Sequence, residues 1–376
     1  MIEVAIFGAG SIGNHLAHSC RKVGWNVTIF DISASALERM KSEIFPKRYE
    51  SWDSSIKLKL LQEFTEYPKE FFDVCLIGTP PETHLKLMYL TAMANPKIIM
   101  VEKPVSTPDL SQIMEMSKLI STYPDIEFLA GYNHRVSLII RELIRAWESF
   151  GCNEISELEV KWLENWQGIM NAHPWLSSPK DSYLGFTSRG GGALFEHSHG
   201  IDIWLWLSRF FRVDEPTLVE ATGTIVGKIE SEDFYDEDVL VKVSGNSGYI
   251  GSIRQNVVDA PAEKSVYVKD SKYEYLCRFH VNGLSDTLTI TNIESSQVVK
   301  KVECIKVRSI DFDEEIYEVQ KTLTDIKLQV REPSPLNMFC GLRTAILGCA
   351  AIESLRTSNC SVVDFSGVSS TQFQKK

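Results

Sequence analysis

Gly8, Gly10 and Gly13 stand in the spacing G-x-G-x-x-G, and Asp31 follows eighteen residues after the last of them. Each residue type has a task where a dinucleotide is held. Gly8 permits a tight turn, Gly10 lets the backbone approach a pyrophosphate, and Gly13 lets a helix pack closely on a strand. The free N–H groups of the helix start, at Ser11 and Ile12, face the phosphates with the helix dipole behind them. The Asp31 carboxylate accepts hydrogen bonds from adenosine ribose hydroxyls and repels a 2′-phosphate, so NAD is the expected cofactor in preference to NADP. An apolar strand, Val4 to Phe7, feeds the turn, and a second strand, Val27 to Phe30, ends on Asp31.

Three further loops close apolar strands: Thr79-Pro80-Pro81, Glu102-Lys103-Pro104, and Gly131 to Arg135. In an open α/β sheet, ligands bind beyond the carboxyl ends of the strands. Pro104 stiffens its loop, so Lys103 should project into the cleft at a defined angle, as a proton carrier or an anchor for a substrate hydroxyl. A second constellation is Gly190-Gly191-Gly192-Ala193-Leu194-Phe195-Glu196-His197-Ser198-His199. With Ala193 to Phe211 read as one helix, Glu196 and His199 share a face, and Asp202 continues it. A neutral imidazole with a carboxylate one turn away is a sound general base. A helix-surface Glu–His pair is the plainer alternative. His197 and His199 should point to nearly opposite sides, which disfavours a metal site. His84 either reaches the cofactor or is a satisfied structural histidine. Trp162, Trp166, His173, Trp175, Lys180 and Tyr183 offer flat rings and donors that suit a sugar, or else pack a domain edge.

The elements that must position these groups fall into two parts. Up to residue 130, strands and helices alternate, as a doubly wound parallel sheet requires. From 131 to 376, alternating segments such as Leu158-Val160-Trp162 and Val239-Val241-Val243, divided by short turns, indicate an α+β domain with a large, mainly antiparallel open sheet. Helical patterns at 314–328 and 336–355 close the chain. Two domains suit 376 residues, and 44% apolar with 24% charged residues describes a globular chain. No run approaching bilayer length is read, and the start directly on a strand argues against a signal peptide. A net charge of −11 argues against nucleic acid and acidic membranes as partners. Eight cysteines without CxxC spacing read as reduced thiols of a cytoplasmic protein.

Taken together, GAGSIG, TPPETH, EKP, GYNHR and GGGALFEHSHGID resemble, in order and over nearly the whole chain, the Gfo/Idh/MocA oxidoreductases (glucose–fructose oxidoreductase, inositol dehydrogenase and rhizopine catabolism proteins). The resemblance implies a Rossmann domain, residues 1–130, followed by a substrate-binding and oligomerisation domain, residues 131–376. Its open sheet would mediate a homodimer or homotetramer. It implies Lys103 and His199 as catalytic groups, and Thr79, Pro80, His84, Glu102 and Lys103 beside the cofactor, with a cis Lys103–Pro104 peptide. One departure is that many members carry an aspartate four residues before the histidine, where Phe195 stands here. Glu196, three before it, resembles a branch found in bacterial surface-sugar loci, and its role is either catalytic or substrate-binding. Asn133, Arg135, His173, Trp175 and Glu196 are the expected sugar contacts. The expected activity is NAD-dependent hydride transfer at a hydroxyl carbon of a sugar, nucleotide-linked and amino sugars included. An NAD-retaining epimerase or glycosidase that oxidises transiently, and a non-catalytic NAD sensor, are the alternatives.

Overall fold

The computed structural model describes residues 1–172, 176–231, 233–330 and 332–368. Its first part runs β1 (Glu3–Phe7), α1 (Ser11–Lys22), β2 (Asn26–Asp31), α2 (Ala34–Arg39), α3 (Phe45–Tyr49), β3 (Lys57–Leu60), β4 (Val74–Ile77), α4 (His84–Met93), β5 (Ile98–Glu102), α5 (Leu110–Thr122) and β6 (Glu127–Gly131). The six strands form one parallel sheet in the order β3-β2-β1-β4-β5-β6. Val74-Cys75-Leu76-Ile77 and Ile98-Ile99-Met100-Val101 are wholly buried. Strands covered by helices on both faces must be apolar throughout, and these are. The chain order reverses between β1 and β4, which opens the crevice where such sheets bind ligands.

The second part continues α6 (Leu138–Ser149), β7 (Ile155–Leu163), α7 (Gln167–Ala172), α8 (Gly192–Glu196), α9 (His199–Phe210), β8 (Leu218–Gly227), β9 (Phe234–Gly245), β10 (Gly248–Asn256), β11 (Glu263–Asp270), β12 (Tyr273–Val281), β13 (Ser285–Asn292), β14 (Val298–Ile305), α10 (Arg308–Lys327), α11 (Met338–Thr357) and β15 (Ser361–Val362). Nine strands form a sheet in the order β14-β13-β12-β11-β7-β10-β9-β8-β15. Its pairs are antiparallel except β7 with β10. One face is packed: Leu158, Val160 and Trp162 of β7 are buried with Tyr275, Cys277 and Phe279 of β12. Helices α9 and α11 cover that face, and Trp204 of α9 donates its indole N–H to Leu158 O at 2.9 Å.

The two parts are interlocked. Helix α10 returns to the first sheet and packs on α1, where Ser19 Oγ donates to Asp313 Oδ1 at 2.7 Å. Ala130 N donates to Leu336 O at 2.7 Å, joining the chain before α11 to β6. Four features differ from the sequence expectation. The helix read as continuous from Ala193 to Phe211 is two helices, broken at His197–Ser198. Neither β3 nor β14, an edge strand with half-exposed side chains, was singled out as a strand in the sequence. Helix α11 is long and apolar enough to cross a membrane by length and composition, whereas no such run was read; most of it is buried inside the fold.

Candidate active site

A cleft of about 1770 Å³ lies between the carboxyl ends of β1, β4 and β5 and the packed face of the second sheet. On one wall are Gly10, Ser11 and Ile12. Gly8 has φ +104° and its N–H donates to Phe30 O at 2.8 Å. A Cβ on Gly13 would lie 1.9 Å from Gly8 O, so only glycine lets α1 start against this turn. A Cβ on Gly10 would meet nothing within 4 Å, so the backbone there faces open space. Gly10 caps α1 with no side-chain hydrogen bond, which leaves the first-turn N–H groups directed at the cleft. A pyrophosphate fits this cradle, by charge and by room. Asp31 accepts the N–H of Ala9 and of Ser33 at 2.8 Å each, one on each carboxylate oxygen. Each oxygen keeps acceptor capacity for a ribose hydroxyl.

Thr79, Pro80, Glu102 and Lys103 continue this wall, and the Lys103–Pro104 peptide is cis. Glu102 ends β5 and is buried; a Cβ on Gly131 would come within 2.8 Å of its carboxyl carbon, so the neighbouring strand end must be glycine. Burial pushes the Glu102 carboxyl up to about 7, against the pull of the Lys103 ammonium. Lys103 Nζ reaches across to the second domain, donating to Glu196 Oε1 at 2.8 Å and Glu196 O at 2.9 Å. The other Glu196 oxygen, Oε2, accepts the Tyr183 hydroxyl at 2.7 Å. Burial alone would raise the Glu196 carboxyl, but Lys103 and Tyr183 outweigh it and hold it below the ordinary carboxylate range. The ammonium is therefore fixed by two acceptors, and its carboxylate partner by a phenol.

His199 opens α9 and lines the same cleft, beside Trp162 and perpendicular to His134, whose ring centroid lies 4.7 Å away. Its Nδ1 is buried and has no hydrogen-bond partner among the described residues. Burial, aided by His134 and Lys103, holds its pKa well below the ordinary imidazole value, so the ring is neutral. The break before α9 changes two expectations. No hydrogen bond joins Glu196 to His199 among the described residues, and His197 lines the cleft together with His199 instead of pointing away. Burial takes His197 down to about 4, although Glu164 and Glu196 oppose this.

Other expected contacts lie elsewhere. Arg135 is buried in a two-pronged ion pair with Asp202, whose Oδ1 also accepts the Thr344 hydroxyl at 2.9 Å. With Nη1 on Pro335 O and Asn337 O, Arg135 lies outside the cleft wall, and Asp202 does not face the cleft either. Asn133 is buried and outside the cleft wall, with its Oδ1 unpartnered. His84 is fully buried, its Nε2 2.7 Å from Thr79 O and its Nδ1 3.1 Å from Val105 O, and so ties two cofactor-side loops together. His173 and Trp175 lie outside the described residues. Sequence reasoning did not single out Arg48, which donates to Ser11 O and Ser11 Oγ at 2.8 Å each, beside the glycine turn. Thirty-seven residues separate the two, and no motif marks Arg48. Tyr183 was placed in an aromatic segment and among residues resembling the surface-sugar branch, but not as a partner of Glu196; its spacing of thirteen residues from Glu196 carries no periodic signal.

Residues 2–129 match the model of the oxidoreductase family with the NAD-binding Rossmann fold, GFO_IDH_MocA. No curated protein matches the chain in sequence. Among solved structures, levoglucosan dehydrogenase in complex with NADH and L-sorbose is similar at a TM-score of 0.71 and 15% identity, over 98% of this chain and 100% of that one. An oxidoreductase domain protein from Kribbella flavida is similar at a TM-score of 0.74 and 13% identity, over 96% and 99%. UDP-N-acetylglucosamine 3-dehydrogenase from Acidithiobacillus ferrooxidans gives a TM-score of 0.67 and 16% identity, over 95% and 98%. At such identities the likeness is one of fold, and it extends through both domains.

Proposed function

We infer that this chain, whose N-terminal domain belongs to the Gfo/Idh/MocA family of NAD-binding oxidoreductases, is an NAD-dependent dehydrogenase. It acts on a hydroxyl-bearing carbon of a sugar or sugar derivative, nucleotide-linked and amino sugars included. The observation that carries this reading is the continuity of one cleft. The glycine turn, the Lys103–Glu196–Tyr183 network that bridges the two domains, and His199 all line it. The solved relatives named for levoglucosan and UDP-N-acetylglucosamine dehydrogenation support the substrate class by analogy.

Gly10, Ser11 and Ile12 would hold the cofactor's pyrophosphate, Asp31 its adenosine ribose, and Thr79, Pro80 and Glu102 its nicotinamide half. When bound, the nicotinamide ring supplies the two-electron acceptor or donor. Everything else falls to the chain's own side chains. Lys103 offers a fixed ammonium to the reacting oxygen and steadies the negative charge that grows there. His199, neutral and lining the cleft, takes the hydroxyl proton. Glu196 keeps Lys103 aimed, and Tyr183 keeps Glu196 from turning away. The cleft exceeds the roughly 300–1000 Å³ typical of small-ligand pockets, which leaves room for a dinucleotide and an extended substrate.

Crystals soaked with NAD and a panel of sugars and nucleotide sugars test the reading. The expected result is a sugar hydroxyl within hydrogen-bond reach of Lys103 and His199. A cofactor bound away from the glycine turn, or a sugar held away from both groups, overturns it.

A further inference from the structure

Behind the cofactor wall lies a second carboxyl group that the reaction does not use. Glu315, on α10, is fully buried, and among the described residues its carboxylate oxygens have no hydrogen-bond partner but the facing Glu102 carboxyl. It lies against Glu102, whose Oε1 is also buried and unpartnered, while Glu102 itself lines the cleft. Two carboxylates side by side, with only the Lys103 backbone N–H donating to Glu102, cannot both be charged. Like-charge repulsion and desolvation leave at least one proton between them. The remaining groups facing the pair are Lys103 on the same loop, Arg308 and Asp311 on α10, Cys20 on α1, Tyr132 after β6 and Tyr183 before the glycine run. His280 stands one contact further out, against Asp311. Burial keeps Cys20, Tyr132 and Tyr183 protonated. Among these immediate neighbours the carboxyl pair is what can exchange a proton near neutrality.

We propose that the Glu102–Glu315 pair gives up one of two protons to solvent when the cationic, oxidised nicotinamide enters the cleft, and keeps the other shared between them, so that Glu315 tunes the preference between the two redox forms of the cofactor. The proposal rests on the NAD-binding reading given above. The step is a proton transfer alone: an O–H bond of the pair breaks, the proton passes to water or buffer, and no electron moves. The reduced ring is neutral and offers no such pull, while the pyrophosphate and riboses are common to both forms. Glu315 reaches the cofactor only through Glu102 and is a positioning residue.

The sign follows from linkage. Oxidised NAD favours the singly ionised pair, so its affinity rises with pH up to the free-protein value of about 7 and is flat above it. The slope is at most about tenfold per pH unit. The experiment is titration calorimetry of the full chain with NAD and with NADH, across this range and in two buffers of different ionisation heat. Expected are net proton release with NAD just below pH 7, little or none with NADH, and an NAD-to-NADH affinity ratio that climbs with pH. The E315Q variant should lose both the release and the climb while still binding NAD. Equal proton release and equal pH slopes for the two cofactors would overturn the inference and leave the dehydrogenase reading standing. Failure of either cofactor to bind would overturn both. If E315Q does not fold, the wild-type contrast between NAD and NADH decides alone.

Discussion

Lys103 illustrates what a single residue inherits from its neighbours. Its ammonium is aimed by its own loop but fixed by Glu196, a residue 93 positions away in the other domain. Tyr183 completes that arrangement, and removing its hydroxyl withdraws one charge-assisted hydrogen bond, a contribution of about 1.5–3 kcal/mol. A Tyr183→Phe variant should therefore lower kcat about 10-fold or more, with NAD affinity unchanged. Steady-state kinetics beside a cofactor titration would check it. The histidines make a second prediction. With NAD saturating, kcat/KM for the sugar should stay flat down through pH 6.5, because His199 is held neutral well below that value. An inflection at the ordinary imidazole pKa would show instead that His199 titrates as an exposed ring does. At this scale the sequence revealed whatever local spacing dictates: the three glycines, Lys103 beside Pro104, and Glu102 at a strand end. It could not reveal Glu315 or Arg48, whose partners are distant in the chain and whose residue types are common on any surface. It also misplaced Arg135, because a guanidinium at a strand end looks the same whether it awaits a sugar or pairs with a buried Asp202.

At the scale of elements, the site depends on a helix that is interrupted. A continuous helix from Ala193 would have put Glu196 and His199 on one stripe. The break at His197–Ser198 instead lets Glu196 face Lys103 while His199 opens a new helix beside Trp162. Apolar periodicity passed through this point without a signal, since Leu194, Phe195, Ile201 and Trp204 are all buried on both sides of it. Helix α9 is held to the loop after β6 and to α11 by Asp202, through Arg135 and Thr344. Both members of that ion pair are almost wholly inaccessible, with side-chain exposures of 1% and 2%. Removing one partner leaves the other charge buried and unpaired. Arg135→Ala should cost about 3–5 kcal/mol of stability, read by denaturant unfolding. The fraction that remains folded should still bind NAD, because Arg135 does not face the cleft. A variant of unchanged stability would contradict this placement. The sheets themselves were largely legible, because alternation marks β7, β9 and β12 and continuous apolar runs mark β4 and β5. The edge strand β14 escaped notice, since an edge need not bury either face.

At the scale of the whole molecule, the chain does not divide as simply as its two rhythms suggest. Helix α10 and the segment before α11 return to the first sheet, so the cofactor wall is backed by residues from the far end of the sequence. A boundary near 130 describes where the sheets change, not where the packing does. No local pattern can announce such a return. The outward face of the nine-stranded sheet carries Glu157, Glu159, Lys161, Lys242 and Arg254, with Leu240 and Leu276 half-buried among them. Assembly through this face, proposed from the family resemblance, predicts a dimer or tetramer in sedimentation equilibrium. It also predicts dissociation when Leu240 and Leu276 are both changed to Glu. A monomeric wild-type chain would remove the proposal.

The most direct test of the account is a stopped-flow record of absorbance at 340 nm, in which the NAD-loaded protein is mixed with candidate sugars. The wild type is predicted to give a rise with at least one of them, and Lys103→Ala combined with His199→Ala to slow that rise by a factor of about 1000 or more. A double variant that reduced NAD as fast as the wild type would contradict the assignment of the reaction to this cleft.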